Sequence, residues 1–293
     1  MKYFFDSIIT QAYWKFALFS KRGLQSIFAW FGGAFLTLQV LDWFSVLRRE
    51  NYGPEVVLAM VCFSTLMSVL TRRPTQSVSV RVPNKDCSVE VRIGDILDHT
   101  GAVVISTNTT FDTDTGSGLI SAKSLQGQFE AKFFLGKSTE LDRMVEDGLS
   151  GKTFEDRPNK QKGKTKNFPM GTVVPLNTHG RTFYFCAMAT LSDAGTASTT
   201  ESDLHAALDR LWSFVRTEGE LQELAVPLIG TGRGRIGLTR ERVIELIALS
   251  FKQATIDGVL THKLAIVVHP DDAKNFQINL WEIRDDLSRL MRH

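Results

Sequence analysis

The stretch that decides the fold is residues 224–238, Leu-Ala-Val-Pro-Leu-Ile-Gly-Thr-Gly-Arg-Gly-Arg-Ile-Gly-Leu. The apolar run that ends at Ile229 is long enough for a buried strand and too short for a helix. A loop with four glycines follows, and Thr239 then begins a patterned segment typical of a capped amphipathic helix. Strand, glycine-rich loop and helix in this order present backbone N–H groups to a phosphate. A flexible turn explains a glycine-rich loop alone equally well.

A second set of motifs lies upstream. Residues 89–93 alternate like a strand and end in Gly94-Asp95-Ile96, and residues 102–106 form an apolar strand that leads to Asn108. A loop containing Gly116-Ser117-Gly118-Leu119 comes next, before another patterned segment. Further strands are predicted at residues 171–176, 182–189 and 264–268, and helices at 203–215 and 272–291. Strands that alternate with helices favour a mixed or parallel sheet covered on both faces.

Together, Gly-Asp-Ile, a strand that ends in Asn, a Gly-x-Gly loop and the later Pro-Leu-Ile-Gly-Thr-Gly loop resemble a macro domain. The resemblance covers residues 87–293. It implies an α/β fold, a three-layer α/β/α domain with a mixed, largely parallel sheet. It also implies that the domain binds ADP-ribose or an ADP-ribose conjugate as a ligand.

The resemblance also assigns a role to each part of the cleft. Asp95 and Ile96 would recognise adenine, although Asp95 could instead cap the turn that follows it. Asn108 would face the distal ribose. The two loops that would hold the diphosphate comprise Gly116, Ser117, Gly118 and Leu119 in the first, and Ile229, Gly230, Thr231, Gly232, Arg233 and Gly234 in the second.

Two departures from the family pattern favour ligand binding over catalysis. Ile105 stands where many macro domains carry the first Asn of an Asn-Ala-Ala-Asn motif, and the family's Gly-Gly-Gly loop is reduced to Gly116-Ser117-Gly118. Asp112 and Asp114 are possible acids, but a loop rich in Asp, Thr and Gly is more often a turn. We therefore assign no catalytic residue and predict a binding protein, with an ADP-ribosyl hydrolase as the alternative.

Composition excludes other classes of protein. The formal net charge of +2 gives no electrostatic argument for nucleic acid. The histidines and cysteines have no metal-ligand spacing, so we predict no metal site. Residues 150–168 carry six Lys or Arg residues, and we interpret them as a mobile, solvated loop. Contact with an anionic ligand or with lipid headgroups is the alternative.

The N-terminal part of the chain has the pattern of a membrane hairpin. Residues 24–47 and 55–70 are apolar and flanked by basic residues, which favours two transmembrane helices over a buried hairpin in a soluble core. Residues 1–23 are predicted to form an interfacial segment, and residues 72–86 a linker. Basic residues before the first span and after the second place both ends of the hairpin in the cytoplasm.

A membrane hairpin joined to a macro domain resembles the membrane-anchored effectors of Thoeris-type bacterial antiphage defence. That resemblance implies a TIR-domain partner that makes an ADP-ribose-derived signal from NAD. It further implies an inner-membrane protein that contacts lipid, forms a homo-oligomer on binding ligand and disrupts the membrane. A passive anchor for ADP-ribosylated proteins is a further alternative.

Overall fold

The computed structural model describes residues 11–46, 53–192, 195–219, 221–229 and 236–292. The chain divides into two compact units, Met1–Gln76 and Ser77–His293. Of the predicted interfacial segment, residues 1–10 lie outside the described part of the chain.

The first unit is helical. A helical turn α1 (Gln11–Trp14) leads into a π-helix (Lys15–Phe19), followed by α2 (Lys21–Trp43) and α3 (Pro54–Thr71). The Ser20 hydroxyl caps α2 by accepting the Gly23 N–H at 2.9 Å. Pro54 begins α3 at a position where its missing N–H costs nothing.

Helices α2 and α3 are long and apolar enough to cross a membrane, with mean hydropathies of 1.4 and 1.7. At 23 and 18 residues they extend roughly 34 Å and roughly 27 Å. In the most apolar 18 residues of each helix, 0% and 17% of the residues are buried within the protein, whereas a helix in a soluble core is mostly buried. The predicted helical hairpin is therefore present at nearly the predicted positions.

The second unit is built on one large sheet. Its strands are β1 (Ser77–Arg81), β2 (Ser88–Ile93), β3 (Ala102–Asn108), β6 (Val173–Thr178), β7 (Arg181–Leu191), β8 (Ala197–Ser198), β9 (Glu223–Pro227) and β10 (Lys263–Val268). The main path of the sheet, in spatial order, is β1, β2, β10, β9, β3, β7 and β6, and β8 pairs with β7. From β2 to β7 every pairing is parallel, and the two outer pairings are antiparallel. A separate ribbon pairs β4 (Glu155–Asp156) with β5 (Lys166–Asn167).

Helices cover both faces of this sheet. They are α4 (Leu125–Phe133), α5 (Ser138–Leu149), α6 (Glu201–Glu218), α7 (Arg240–Ala254), α8 (Pro270–Asn275) and α9 (Leu280–Arg292), with a 3-10 turn at Ile96–Asp98. Helices α4 and α5 pack on one side, while α6, α7 and α9 pack against one another and against the sheet on the other. The predicted three-layer α/β/α architecture with a mixed, largely parallel sheet is confirmed.

A cluster of aromatic rings joins α4 to the sheet. Phe129 is fully buried, and its ring centroid lies 4.8 Å from that of Phe183 and 5.1 Å from that of Phe185. Edge-on contacts of this kind stabilise aromatic pairs beyond the area they bury. Phe129 therefore fixes the helix that leads out of the first glycine-bearing loop.

The structure differs from the sequence-based interpretation at two places in this unit. Ser77–Arg81, inside the stretch interpreted as a linker, forms the edge strand β1 and pairs antiparallel with β2. The helix predicted over residues 272–291 is two helices, α8 and α9, because Gln277 adopts a φ of 51° that a continuous helix does not allow.

His99 lies buried at the end of the sheet where the parallel strands begin. This residue directly follows the 3-10 turn, and its Nε2 lies 3.8 Å from Oε2 of Glu223. The ammonium of Lys263 bridges Glu223 and Glu90 at 3.0 and 2.8 Å. Burial lowers the pKa of His99 below its ordinary value of 6.5, and the nearby Glu223 carboxylate offsets only part of that effect.

We expect Phe129→Ala to remove about 3–5 kcal/mol of folding stability, because it empties a fully buried aromatic site. For a unit of this size that lowers Tm by on the order of 10 °C, measured by differential scanning fluorimetry in detergent. Leu135→Ala is the matched control, since Leu135 is 83% exposed. Equal effects of the two substitutions would contradict the proposed packing.

The depressed pKa of His99 makes stability depend on pH in a defined direction. As pH falls through 6.5, the unfolded chain takes up a proton that folded His99 does not, so stability is complete above that pH and declines below it. Tm should fall between about pH 7.5 and about pH 5.5, and His99→Gln should flatten that slope. His205→Gln, at an exposed position, should keep the wild-type slope, and an unchanged slope in His99→Gln would contradict the assignment.

Candidate functional site

A cleft of about 960 Å³ opens at the carboxyl ends of the parallel strands. Gly94-Asp95-Ile96 follows β2, Asn108 ends β3, and His269 follows β10, and all of them line the cleft. Parallel strands bring such residues to one edge of the sheet, where ligands of open α/β folds bind. The volume suits a ligand of nucleotide size.

The predicted site residues fall into three groups. Asp95, Ile96, Asn108, Leu119 and Ile229 line the cleft, whereas Gly116, Ser117 and Gly118 do not belong to its lining. The remainder of the second loop, Gly230, Thr231, Gly232, Arg233 and Gly234, lies outside the described residues. The binding role of all of these residues stays a prediction.

Asp95 caps the 3-10 turn. One of its carboxylate oxygens accepts the Leu97 N–H at 2.9 Å, so the alternative role of this residue as a cap is realised. The side chain is nonetheless exposed at the cleft, and a carboxylate has lone pairs for more than one donor. Capping and recognition of an amino group are therefore compatible.

Asn108 sits at a β-bulge. The register between β3 and β7 shifts after Thr107, so Asn108 pairs with Ala189 and Met188 is the extra residue. Bulges re-aim side chains next to functional sites. The Asn108 side chain is only 5% exposed, and its Oδ1 accepts the Thr110 N–H at 2.9 Å and the Thr110 hydroxyl at 2.8 Å. Its Nδ2 has no hydrogen-bond partner within the described part of the chain.

The first glycine-bearing loop uses its N–H groups internally. Oδ1 of Asp114 accepts the N–H of Gly116 at 2.8 Å and that of Ser117 at 3.2 Å. Hydrogen bonds from the side chain and backbone of Ser117 lower the pKa of Asp114. The loop is thus an Asx-type turn, and the contact of its N–H groups with a diphosphate stays a prediction.

The wall of the cleft begins instead at Leu119 and continues into helix α4. Ser121, Lys123, Ser124 and Gln126 all line it, and sequence reasoning missed them. The detectable signal was Ser124, whose hydroxyl caps α4 by accepting the Gly127 N–H at 3.1 Å. The start of α4 and the ammonium of Lys123 therefore make this wall favourable to an anion.

The basic stretch 150–168 is not simply a solvated loop. The side chain of Lys160 is 0% exposed, and its Nζ lies 2.7 Å from Oδ2 of Asp112, a carboxylate that is 2% exposed. The other Asp112 oxygen accepts the Lys164 N–H at 2.6 Å, and the Phe168 N–H donates to the Thr109 carbonyl at 2.8 Å. The interpretation of this stretch as a solvated loop is therefore wrong for Lys160. An ammonium removed from water needs a counter-charge, and the Asp112 carboxylate supplies it.

The same contacts settle the position of the predicted acids. Asp112 is enclosed by donors and does not line the cleft, and Asp114 belongs to the exposed turn. The titratable groups that do line the cleft near β10 are His269, Asp271 and Asp272. His269 caps α8, with Nδ1 accepting the Asp271 N–H at 3.3 Å. Among the described residues, no group of three His, Cys, Asp or Glu side chains could hold a metal ion.

Comparison with known proteins identifies the family. A family model described as "Thoeris protein ThsA, Macro domain" matches residues 89–269. The chain belongs to this family. The match begins in β2 and ends at His269, so it contains the residues that line the cleft except Asp271 and Asp272, while β1, α8 and α9 lie outside it.

Individual relatives agree with this assignment. The chain is 22% identical over 206 residues to the Thoeris protein ThsA of Bacillus amyloliquefaciens strain Y2, covering 67% of each chain. A macrodomain of Oceanobacillus iheyensis solved with ADP has a TM-score of 0.51 at 14% identity, covering 73% of this chain and 97% of its own. The structural similarity supports the macro-domain fold.

We expect Asp112→Asn to lower Tm strongly, because it leaves the Lys160 ammonium buried without a counter-charge, at a cost of about 3–5 kcal/mol. Asp114→Asn is the matched control and should leave Tm nearly unchanged, since that side chain is exposed and Asn can still accept the same N–H groups. Differential scanning fluorimetry in detergent compares the two. A Tm of Asp112→Asn equal to that of wild type would show that the ion pair is dispensable.

Proposed function

We propose that the protein is a membrane-anchored sensor of Thoeris-type antiphage defence whose cleft binds an ADP-ribose-derived nucleotide. The observation that carries the proposal is the Asn108 amide. It is buried at the cleft, its oxygen is saturated, and its Nδ2 has no partner among the described residues. A buried donor without a partner is costly unless a ligand completes it.

The ligand would lie along the edge of the sheet. Asp95 and Ile96 take adenine, and Asn108 donates to an oxygen of the distal ribose. The start of α4, with Lys123 and Ser124, adds donors and positive potential for the phosphate-bearing part. By the resemblance, the second glycine-rich loop, residues 230–234, would also contact the diphosphate. A TIR-domain partner would make this ligand from NAD.

Ligand binding would gather several copies of the chain. A ligand shifts that equilibrium only if it binds the assembled state more tightly than the single chain. Helices α2 and α3 would anchor the protein in the inner membrane with the macro domain in the cytoplasm. Gln39 and Asp42 are polar residues of α2. Assembly would bring those of neighbouring copies together in lipid and so disrupt the membrane.

A membrane-tethered ADP-ribosyl hydrolase is the second candidate. One observation favours it, which is that the His269 imidazole and the Asp271 carboxylate share the cleft. Nδ1 of His269 is occupied as the cap of α8, so only Nε2 would face a substrate. Asp112, the more obvious acid, is enclosed by Lys160 and Lys164. We therefore rank binding above hydrolysis.

We expect the full chain in detergent to bind ADP-ribose in isothermal titration calorimetry, and Asn108→Ala to weaken binding by about tenfold or more, because one hydrogen bond from a buried donor is lost. Asn177→Ala is the matched control, since Asn177 is exposed on the outer strand β6. Wild-type affinity in Asn108→Ala would contradict the assigned site.

Two further readouts separate the candidates. A sensor leaves a mono-ADP-ribosylated test protein intact, whereas a hydrolase releases ADP-ribose from it. Light scattering with and without ligand, and dye leakage from liposomes that carry the protein, then test assembly and membrane disruption. Absence of ligand-dependent assembly would overturn the effector mechanism even if ADP-ribose binds.

A further inference from the structure

We propose that Lys160 is a positioning residue for ligand recognition, acting through Asp112 and Thr110 to hold the Asn108 amide with its Nδ2 toward the cleft. The inference rests on the proposed function and deepens it. Lys160 does not belong to the cleft lining, so its effect on the ligand is indirect.

Among the described residues, the Lys160 ammonium has three hydrogen-bond partners, and all of them lie inside the domain. Nζ lies 2.7 Å from Oδ2 of Asp112, 2.7 Å from the Thr110 hydroxyl and 2.8 Å from the Lys164 carbonyl. An ammonium has three donors, so its hydrogen-bonding capacity is filled. Since its side chain is fully buried, Lys160 serves the interior of the domain and not its surface.

The Thr110 hydroxyl is the point at which this pair meets Asn108. Its single proton has two possible acceptors, Oδ2 of Asp112 at 2.5 Å and Oδ1 of Asn108 at 2.8 Å. If the Asp112 carboxylate had no cation beside it, the Thr110 hydroxyl would donate to it and not to Asn108, because charge-assisted hydrogen bonds are stronger. Lys160 donates to the same carboxylate oxygen and weakens that competition, which leaves the hydroxyl proton available to Asn108.

Asn108 is thereby fixed as a donor. Its Oδ1 accepts from the Thr110 hydroxyl, the Thr110 N–H and, at 3.3 Å, the Asp112 N–H. A flipped amide would set its NH₂ group against two backbone N–H donors, which is unfavourable. The ligand atom that faces Asn108 must therefore be an acceptor oxygen, such as that of a ribose hydroxyl or a phosphate.

The stretch 150–168 packs closely against the turn that contains Asp112. Gly163 has a φ of 77°, and a Cβ at this position would collide with the Asp112 carboxylate and with Leu119. Phe111 adopts a φ of 50° and packs its ring against Phe168. The stretch 150–168 therefore packs against the turn after β3 at Asp112, through Gly163, and at Phe111, through Phe168.

The test compares Lys160→Met with Lys162→Met in the full chain in detergent, using ADP-ribose as the probe. Lys162 is exposed in the same stretch and is the matched control. We expect Lys160→Met to raise Kd by about tenfold and Lys162→Met to leave it unchanged. A wild-type Kd in Lys160→Met would overturn the proposal.

A double-mutant cycle separates positioning from general loss of structure. If Lys160 acts through Asn108, Lys160→Met has no further effect on Kd in an Asn108→Ala background. The same fold loss in both backgrounds would overturn the proposal. Should Lys160→Met fail to fold, Thr110→Val serves instead, because it breaks the link to Asn108 and keeps the Lys160–Asp112 pair. Wild-type affinity in Thr110→Val would be equally contradictory.

A readout without ligand keeps this inference distinct from the proposed function. The Thr110 N–H donates to Asn108 Oδ1, so hydrogen exchange of that amide reports the position of the Asn108 side chain. We expect faster exchange in Lys160→Met and no change in Lys162→Met. If wild type binds no ADP-ribose, the proposed function fails, and this exchange difference still decides the positioning role, since its absence overturns it.

Discussion

Parallel pairing of the five inner strands is the constraint on which the arrangement of the site depends. Strands that run the same way end at the same edge, so the segments after β2, β3, β9 and β10 converge although they are far apart along the chain. Most of the connections that return the chain between these strands contain helices, and those helices supply much of the two outer layers. The cleft is therefore a by-product of topology, and the chemistry of the site is added by the few residues that end each strand.

Much of this could be read from the sequence, for a physical reason. A buried parallel strand must be a short apolar run, and the residue after it must accept a turn or face a ligand. Residues 224–229 and 102–106 have that form, which located Ile229 and Asn108 at the cleft. The helix cap at Thr239 followed from the same logic, and its hydroxyl does accept the Arg242 N–H.

Other features carry no local signal. Lys160 resembles its exposed basic neighbours in sequence, and only a carboxylate 48 positions earlier makes it a buried residue. The edge strand β1 is five residues long and depends on pairing with β2 for its existence. The break between α8 and α9 occurs at a glutamine, without the glycine or proline that marks such breaks. In each case a contact distant in sequence, or one residue's backbone angle, determines the outcome.

The carboxylates around the cleft illustrate how environment divides one residue type into several roles. Asp95 is exposed and combines a cap with an open face, whereas Asp112 has both oxygens engaged by donors and is removed from the cleft. Asp114 shapes a turn through backbone N–H groups. The family membership of the chain and the location of its acids thus both support the proposal that the cleft binds a nucleotide.

The burial of one lysine within a basic stretch also gives the molecule a built-in probe of local opening. Lys160 is fully enclosed, while Lys162, two residues away, is exposed to solvent. Amine-acylating reagents modify exposed lysines at once and reach an enclosed one only when its surroundings open locally. The ratio of acylation at these two positions can be read from a single peptide by mass spectrometry. It therefore measures how often the contacts between Lys160 and the turn after β3 open locally.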